Sequence, residues 1–571
     1  MSSIAISVAS LVAGMLWNKV LDHATNKLKD GDPTDEKCRQ IIARELDDIK
    51  SKLDGLARKD LLSSVSFLGD GICLLNLSTR SSKERTDESD TSCGQKMDVD
   101  HQGGGGTVEC SGDDPMHSEL TSVFNEALLL PMLPNVAGDR RFVDARASFE
   151  KAYTKATEAF NNEALSTEDR ILATKLRVIS RILERLEDPD SSAAFCKLYL
   201  QELHDITAVR KTFSTYFRSG GGVKSRFRKT KRAQNVCVVM MINYVLFDYA
   251  KKFTKMKVDD IFGWPRIKLA KRTIHPLMLE PDVLSKMERA GVHAPNQFRF
   301  RRDNEKWAEN ATVNSKGEII VKSRECERFD VINNKGEIRF SFCPVSTDQD
   351  TKAADFETLT LTTDEDDNVY IVSRFKPNDG FYHYKLSVLD ADGILERQFP
   401  LESFTGPGER HHTVCVAVNK DRDIFITKQD EARVFVFDST GQLKHSFVIE
   451  AWHLIKHLSI LDENEIIAAE LVGKTVGIYT VKGALKRSIE TPELHKVCGL
   501  AYHHASKAIL VLTEVMPACF NVYLLESYSA ESGELQQTLP LPGKRNEGYK
   551  IISHPSGTVV LLHKMGAIFI Y

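Results

Sequence analysis

The stretch ARVFVFDSTGQLKHSF, residues Ala432 to Phe447, sets two short apolar runs on either side of a turn signal. Val434 and Val436 precede Asp438-Ser439-Thr440-Gly441, and Leu443 and Phe447 follow it. Glycine tolerates a positive φ and aspartate can bond its own backbone, so the tetrapeptide reads as the turn of a β-hairpin. The pattern recurs. In ERFDVINNKGEIRFSF (Glu327–Phe342) and YKLSVLDADGILERQF (Tyr384–Phe399), Gly336 and Gly393 take the place of Gly441. Each has an apolar residue two positions on and another six positions on. Weaker copies put Gly483 in VKGALKRSI and Gly533 in AESGELQQTL, giving spacings of 57, 48, 42 and 50 residues.

Ahead of each copy lies an alternating strand behind a polar turn: NSKGEIIV, DEDDNVYIV, NKDRDIFIT, DENEIIAA, HHASKAILV and HPSGTVVLL. Six first halves therefore meet five second halves. A period of roughly 40–50 residues with four strands per unit implies a β-propeller. The sixth unit supplies three strands, ending in GAIFIY, and QFRFRRDN (Gln297–Asn304) can supply the fourth and close the ring. Closure removes the open sheet edge that would otherwise invite association. The competing reading, an elongated β-solenoid, calls for shorter and more regular repeats.

Upstream the pattern is helical. The fold class expected is thus multidomain α plus all-β, a helical N-terminal part followed by a six-bladed propeller. Residues 1–78 form a first helical segment. After Asp32-Pro33, the apolar residues Cys38, Ile42, Leu46, Ile49, Leu53 and Leu56 make one narrow stripe, the seam of a coiled coil or bundle helix. Residues 79–118 are polar and Gly-rich and read as a disordered insert. Residues 119–255 form a helical bundle. Phe149, Ala152, Ala156 and Phe160 share a face there, and Ser166-Thr167-Glu168-Asp169 caps a helix that ends before Asp188-Pro189. Two further helices are expected, over 192–217 and 233–255. Residues 256–296 read as a connector and 297–571 as the propeller.

The chain has 571 residues and a formal charge of −4, which draws it neither to nucleic acid nor to anionic membrane. Its 11 cysteines form no C-x-x-C pair, which argues against a disulfide framework and zinc modules and for a reducing, cytoplasmic compartment. Ile4–Trp17 is apolar but only 14 residues long, and its first cation, Lys19, follows it. It reads as a buried or interfacial helix, not a span or a signal peptide.

The repeat VAVNKDRDIFITKQDEARVFVFDSTGQ (416–442) resembles the NHL repeat, with Arg433 and Asp438 at the family's Arg and Asp positions and Arg328 and Asn333 matching them in the first unit. The resemblance covers about 297–571 and is strongest in the third unit. It implies a partner-binding face built from the loops entering each first strand and those between second and third strands. The candidates on that face are Arg328, Arg374, Lys376, Arg410, His411, His412, Lys428, Arg433, Lys544 and Arg545. Arg328 and Arg433 have a second reading as structural bridges between adjacent blades. NHL propellers often close tripartite-motif ubiquitin ligases, but the RING and B-box zinc ligands are absent from this sequence.

No catalytic residue, metal site or cofactor is expected. His411-His412 and His503-His504 each offer at most one channel ligand, because adjacent side chains on a strand point to opposite faces. Asp364–Asp367 (DEDD) reads as a solvated turn. The basic run Arg218, Lys224, Arg226, Arg228, Lys229, Lys231 and Arg232 contains no acid, and it suits either anionic lipid or RNA, or a solvated loop. The reading that results is a non-enzymatic adaptor. Its propeller recruits a protein partner, and its helical part self-associates or docks. The alternatives are a membrane-acting effector using the N-terminal helix and the basic loop, and an RNA-binding propeller. Against the last, residues 297–571 hold 32 Lys and Arg and 39 Asp and Glu, a net −7.

Overall fold

The computed structural model describes residues 58–90, 140–217, 229–270, 272–300, 310–322, 328–343, 356–376, 381–404, 414–428, 432–449, 455–461, 465–470, 474–515, 522–542, 548–563 and 565–570. For 76–90, 229 and 428 it describes the backbone. The Ile4–Trp17 segment and the 38–56 stripe lie outside the described residues. Two compact units are present. One comprises the described residues up to Lys255 with Pro265–Pro276, and the other comprises Met256–Trp264 with the described residues from Leu277 onward. The stretch 256–296 is thereby divided between them.

The first unit is helical: α1 (Lys59–Asp90), α2 (Arg140–Asn161), α3 (Thr167–Glu184), α4 (Pro189–Asp205), α5 (Thr207–Phe217) and α6 (Lys229–Phe253). Helix α1 runs through Ser78 to Asp90, so the start of the expected 79–118 insert has helical backbone. The face predicted for α2 is buried, with Phe149, Ala152, Ala156 and Phe160 all at 5% exposure or less. The capping box of α3 forms as its sequence implies. Ser166 Oγ accepts from Asp169 N, and Asp169 Oδ2 accepts from Ser166 N. Asp188 does more than stop α3, since its carboxylate accepts from Ser191 N at 3.1 Å and caps α4, with Pro189 in the first turn. One helix was expected over 192–217, but Ile206 is extended and separates α4 from α5. Helix α3 buries two arginines. Arg177 lies 4.2 Å over the Tyr199 ring and Arg181 3.8 Å over Tyr153, and Glu202 and Glu184 accept from their guanidinium groups. Burial of a guanidinium is tolerable when charge, hydrogen bonds and aromatic faces all meet it.

The second unit carries two short helices, α7 (Val258–Phe262) and α8 (Pro281–Glu288), and six four-stranded antiparallel sheets. Their inner strands are Ala311–Val313, Glu357–Thr363, Val414–Val418, Ile455–Ile460, His495–His503 and Tyr549–Ser553, one per blade. Each touches the inner strand on either side, the sixth touching the first, so the ring is closed. The closing strand is Gln297–Arg299. It pairs antiparallel with Gly566–Ile570 through Gln297 opposite Ile568 and Arg299 opposite Gly566, as the missing half-repeat implied.

The repeat that announced the fold also joins the blades. At the turn of blade 3, Asp438 Oδ1 accepts from Thr440 N at 2.8 Å and Gln442 N at 3.0 Å, and Gly441 adopts φ +83°. The apolar residue six positions past one turn glycine packs on the turn glycine of the next blade. Phe342 covers Gly393, Phe399 covers Gly441 and Phe447 covers Gly483, while Phe298 of the closing strand covers Gly336. Four positions past the glycine stands a donor to the next turn. Arg397 donates to Ser439 O at 2.8 Å, His445 to Val481 O at 2.9 Å, and Arg487 to Glu531 O. The bridging role expected of Arg328 therefore falls to these donors. Arg328 pairs with Asp330 two residues along its own blade, and Arg433 donates to Ser446 within its own blade.

Candidate functional site

An inner strand hydrogen-bonds a neighbour on one side only, so its other edge faces the centre of the ring. Six such edges enclose a channel of about 660 Å³. Its two ends differ. All inner strands run the same way, so one end gathers their first residues and the other gathers the turns into the second strands.

At the turn end the DEDD segment is not a solvated turn. Asp364 and Asp367 are buried. Asp364 Oδ1 accepts from Asp366 N and Asn368 N, and Asp367 accepts from both Ser315 N and Ser315 Oγ of blade 1 at 2.6 Å. His554 of blade 6 donates from Nε2 to Asp364 O at 2.7 Å, reaching past the three-residue inner strand of blade 1. The exposed pair Glu365 and Asp366 meet Lys420 and Arg422 of blade 3. The acidic turn is a clasp between blades. His503 and His504 fall at this end, at a strand-to-strand turn, where His503 Nδ1 accepts from Ser506 N. Among the described residues no three His, Cys, Asp or Glu side chains gather as metal ligands. His411 and His412 lie outside the described residues.

The opposite end holds the chemistry that the sequence reading missed. Lys456 and His457 of blade 4, Lys550 of blade 6, Cys415 of blade 3 and Cys498 of blade 5 all border the channel there. Cys415 Sγ donates to Lys456 O at 2.8 Å. Burial pushes the Cys415 thiol up to about 11. Burial, followed by the Glu514 carboxylate 3.8 Å away, does the same to Cys498. Both are neutral thiols at physiological pH, the reverse of an activated nucleophile. Burial, with the adjacent Lys456 and Lys550 ammonium groups, brings His457 down to about 3, so its ring is neutral. Its Nε2 is shut off from water and has no hydrogen-bond partner among the described residues. Nothing local flags this set. The five residues come from four strands separated by up to 135 positions, and each sits in an ordinary alternating run.

The described members of the predicted face lie around this same end, where second strands finish and third strands begin. Arg374 donates twice to Glu357 and lies 4.9 Å over the Tyr382 ring, whose centre is 5.2 Å from Lys376 Nζ. Arg328 is half exposed beside Asp330, and Arg433 opens its strand. Lys428 ends a strand. Arg410, Lys544 and Arg545 lie outside the described residues, as His411 and His412 do, a few positions ahead of the strands that start at Val414 and Tyr549. Exposed apolar side chains share the face: Phe381, Val448, Leu494 and Val522. Leu494 holds φ +72°. Beside it His495 Nδ1 lies 2.6 Å from the fully buried Glu526, which also accepts from Tyr528.

Of the basic run, Arg218, Lys224, Arg226 and Arg228 lie outside the described residues. Lys229, Lys231 and Arg232 open α6, and Lys231 Nζ is 3.4 Å from Glu168. No helix among the described residues is long and apolar enough to cross a membrane.

No family model matches the chain, and no curated protein matches it. Solved structures do. Virginiamycin B lyase from Staphylococcus aureus is 12% identical, with a TM-score of 0.33, over 48% of this chain and 97% of that one. The Cps50 (Swd1) β-propeller domain from Myceliophteria thermophila is 11% identical, also with a TM-score of 0.33, over 48% of this chain and 99% of that one. A protein of unknown function from Bacteroides caccae is 14% identical at the same TM-score, over 41% and 82%. Similarity at this level concerns fold alone.

Proposed function

We propose that this chain is a non-enzymatic adaptor whose NHL-like propeller recruits a protein partner on the face where the inner strands begin, while the helical part self-associates or docks. One observation carries the reading. On that face Leu494 is 53% exposed and held at φ +72°, a conformation that costs a leucine about 1–3 kcal/mol and collects at functional surfaces. Apolar neighbours and the cations Arg328 and Lys376 around the same end suit a partner that presents apolar and acidic side chains. The neutral channel thiols support a binding role over thiol catalysis. The free Cys196, Cys415 and Cys498 support a reducing, cytoplasmic setting.

The test uses the full chain as bait. Leu494→Asp and Lys376→Glu should each lose the captured partner. Ile394→Asp alters a side chain 64% exposed beside a third-to-fourth-strand turn, at the other end, and should keep it. Full capture by Leu494→Asp overturns the reading.

A further inference from the structure

Blade 5 buries a carboxylate behind one histidine of the recruiting face. Glu526 has no solvent exposure, and a carboxylate so placed is costly unless both oxygens are hydrogen-bonded. Both are. Tyr528 Oη donates to Oε2 at 2.7 Å, and His495 Nδ1 meets Oε1 at 2.6 Å. Burial, followed by the Glu526 carboxylate, holds the Tyr528 phenol above its ordinary value, so it stays a donor. An ionised carboxylate can only accept, which puts the His495 proton on Nδ1 and leaves Nε2 as an acceptor. The His495 side chain is 17% exposed, and among the described residues its Nε2 has no hydrogen-bond partner and is not shut off from water. The chain in front of it is braced. Thr491 Oγ1 donates to His495 O at 3.1 Å and to Lys474 O at 2.9 Å, and His495 N donates to Pro492 O at 3.0 Å. Between those ties Leu494 is exposed in its strained conformation, and across the sheet His495 stands level with Val515 and the exposed Val522.

We propose that His495 Nε2 accepts a hydrogen bond from a lysine ammonium of the recruited partner, with Leu494 and Val522 receiving the aliphatic stem and Glu490 and Glu493 supplying charge. The site rests on the reading that this face recruits a protein. A bare ring nitrogen calls for a donor, which disfavours a partner carboxylate at this point. Glu490 and Glu493 are exposed on either side of the Thr491-Pro492 turn. Along the chain around His495 at this end, Glu490, Glu493, Glu514 and Glu526 outnumber Lys474 and Lys496, so a cation is favoured over a neutral hydroxyl. Lysine also meets the apolar neighbours, because its stem lies along apolar surface while its head keeps polar company. The acidic side chains that suit Arg328 and Lys376 are met on blades 1 and 2, so the partner carries both signs, with its lysine at blade 5.

The full chain, carrying isotope-labelled histidine, is titrated with the capped dipeptide acetyl-Leu-Lys-amide and with its acetyl-Leu-Met-amide and acetyl-Leu-Glu-amide counterparts, followed by nuclear magnetic resonance. The His495 signals are those that His495→Gln removes. At about pH 8 the ring nitrogens should report a proton on Nδ1 and a bare Nε2. The lysine peptide should shift the Nε2 signal, and the methionine and glutamate peptides should not. His495→Phe should weaken the lysine peptide about fivefold or more, and His495→Gln, whose amide oxygen can still accept, should keep part of the affinity. Glu526→Gln, a change at a positioning residue, should mix the two ring tautomers. Circular dichroism and the denaturant midpoint establish that each variant is folded. A proton on Nε2, a glutamate peptide that binds as tightly as the lysine peptide, or unchanged affinity in folded His495→Phe overturns the lysine site. Loss of the partner in Leu494→Asp, with full capture and full peptide affinity in His495→Phe, overturns the lysine site and leaves the recruiting face standing. Full capture by Leu494→Asp overturns the face instead.

Discussion

At the scale of single residues, Gly441 shows how one position meets two independent demands. Its φ of +83° lies where a Cβ is strained, and a Cβ built there would stand 2.5 Å from the Phe399 ring of the preceding blade. Gly533 shares the backbone demand at φ +76°, but its hypothetical Cβ meets only Ile489, at an ordinary 3.5 Å. Gly441→Ala should therefore cost about 2–4 kcal/mol and Gly533→Ala about 1 kcal/mol, read as shifts in the denaturant midpoint of the full chain. Equal costs would mean that the ring contact contributes nothing. This site was legible in the sequence because the demand repeats. The apolar residue six positions on recurs in every copy, although only the structure shows that it serves the next blade. The donors Arg397, His445 and Arg487 were just as legible in the aligned copies, four positions past each glycine, yet the family pattern drew attention to Arg328 and Arg433 instead.

At the scale of elements, the helices were legible where the sequence carries local punctuation. Ser166 and Asp169 announced α3, and Asp188-Pro189 marked the boundary between α3 and α4. The break at Ile206 carries no Gly or Pro, so it was invisible. What lies beside it explains its importance. His204, on the last turn of α4, is fully buried and 3.0 Å from Asn243 Nδ2 on α6. Burial, opposed only by the neighbouring Asp205 and a backbone contact, brings its imidazolium down to about 3. The folded unit therefore keeps His204 neutral, whereas the unfolded chain protonates it near pH 6.5. The unfolded state binds more protons between those values, so this contribution is complete above about pH 6.5 and is lost as pH falls toward 3. Helix unfolding followed by circular dichroism should show stability falling by up to about 1.4 kcal/mol per pH unit from this group. His204→Gln should remove that part of the slope, even if it lowers stability at pH 7. An unchanged difference between pH 7 and pH 5 in the variant would show that His204 does not titrate on unfolding.

At the scale of the whole molecule, the ring was legible and its channel was not. Counting six first halves against five second halves is arithmetic on the sequence, and the closing strand followed from it. Which side chains meet at the centre depends on how six strands from distant segments are brought side by side, so Lys456, Lys550 and His457 carried no local mark. Closure itself rests on a close approach. Gly566 stands opposite Arg299, and a Cβ on it would lie 2.1 Å from Phe298 O. The chain just ahead is tied by buried amides. Asn296 Nδ2 donates to Leu277 O and Phe569 O, and Gln297 Nε2 donates to Leu279 O at 2.6 Å. A side chain at 566 must push the closing strand off its partner, strip those bonds and leave an edge that can pair with another copy. Gly566→Val should lower propeller stability by about 3 kcal/mol or more and make the chain associate as its concentration rises, by light scattering. Gly548→Val meets nothing within 4 Å and should stay within about 0.5 kcal/mol of the parent chain. A chain beginning at residue 310, lacking the strand altogether, should lose a large share of the ~5–15 kcal/mol that holds a domain together. If Gly566→Val melts with Gly548→Val and both remain monomeric, the three-residue strand does not close the ring energetically, and the sixth blade stands on its own three strands.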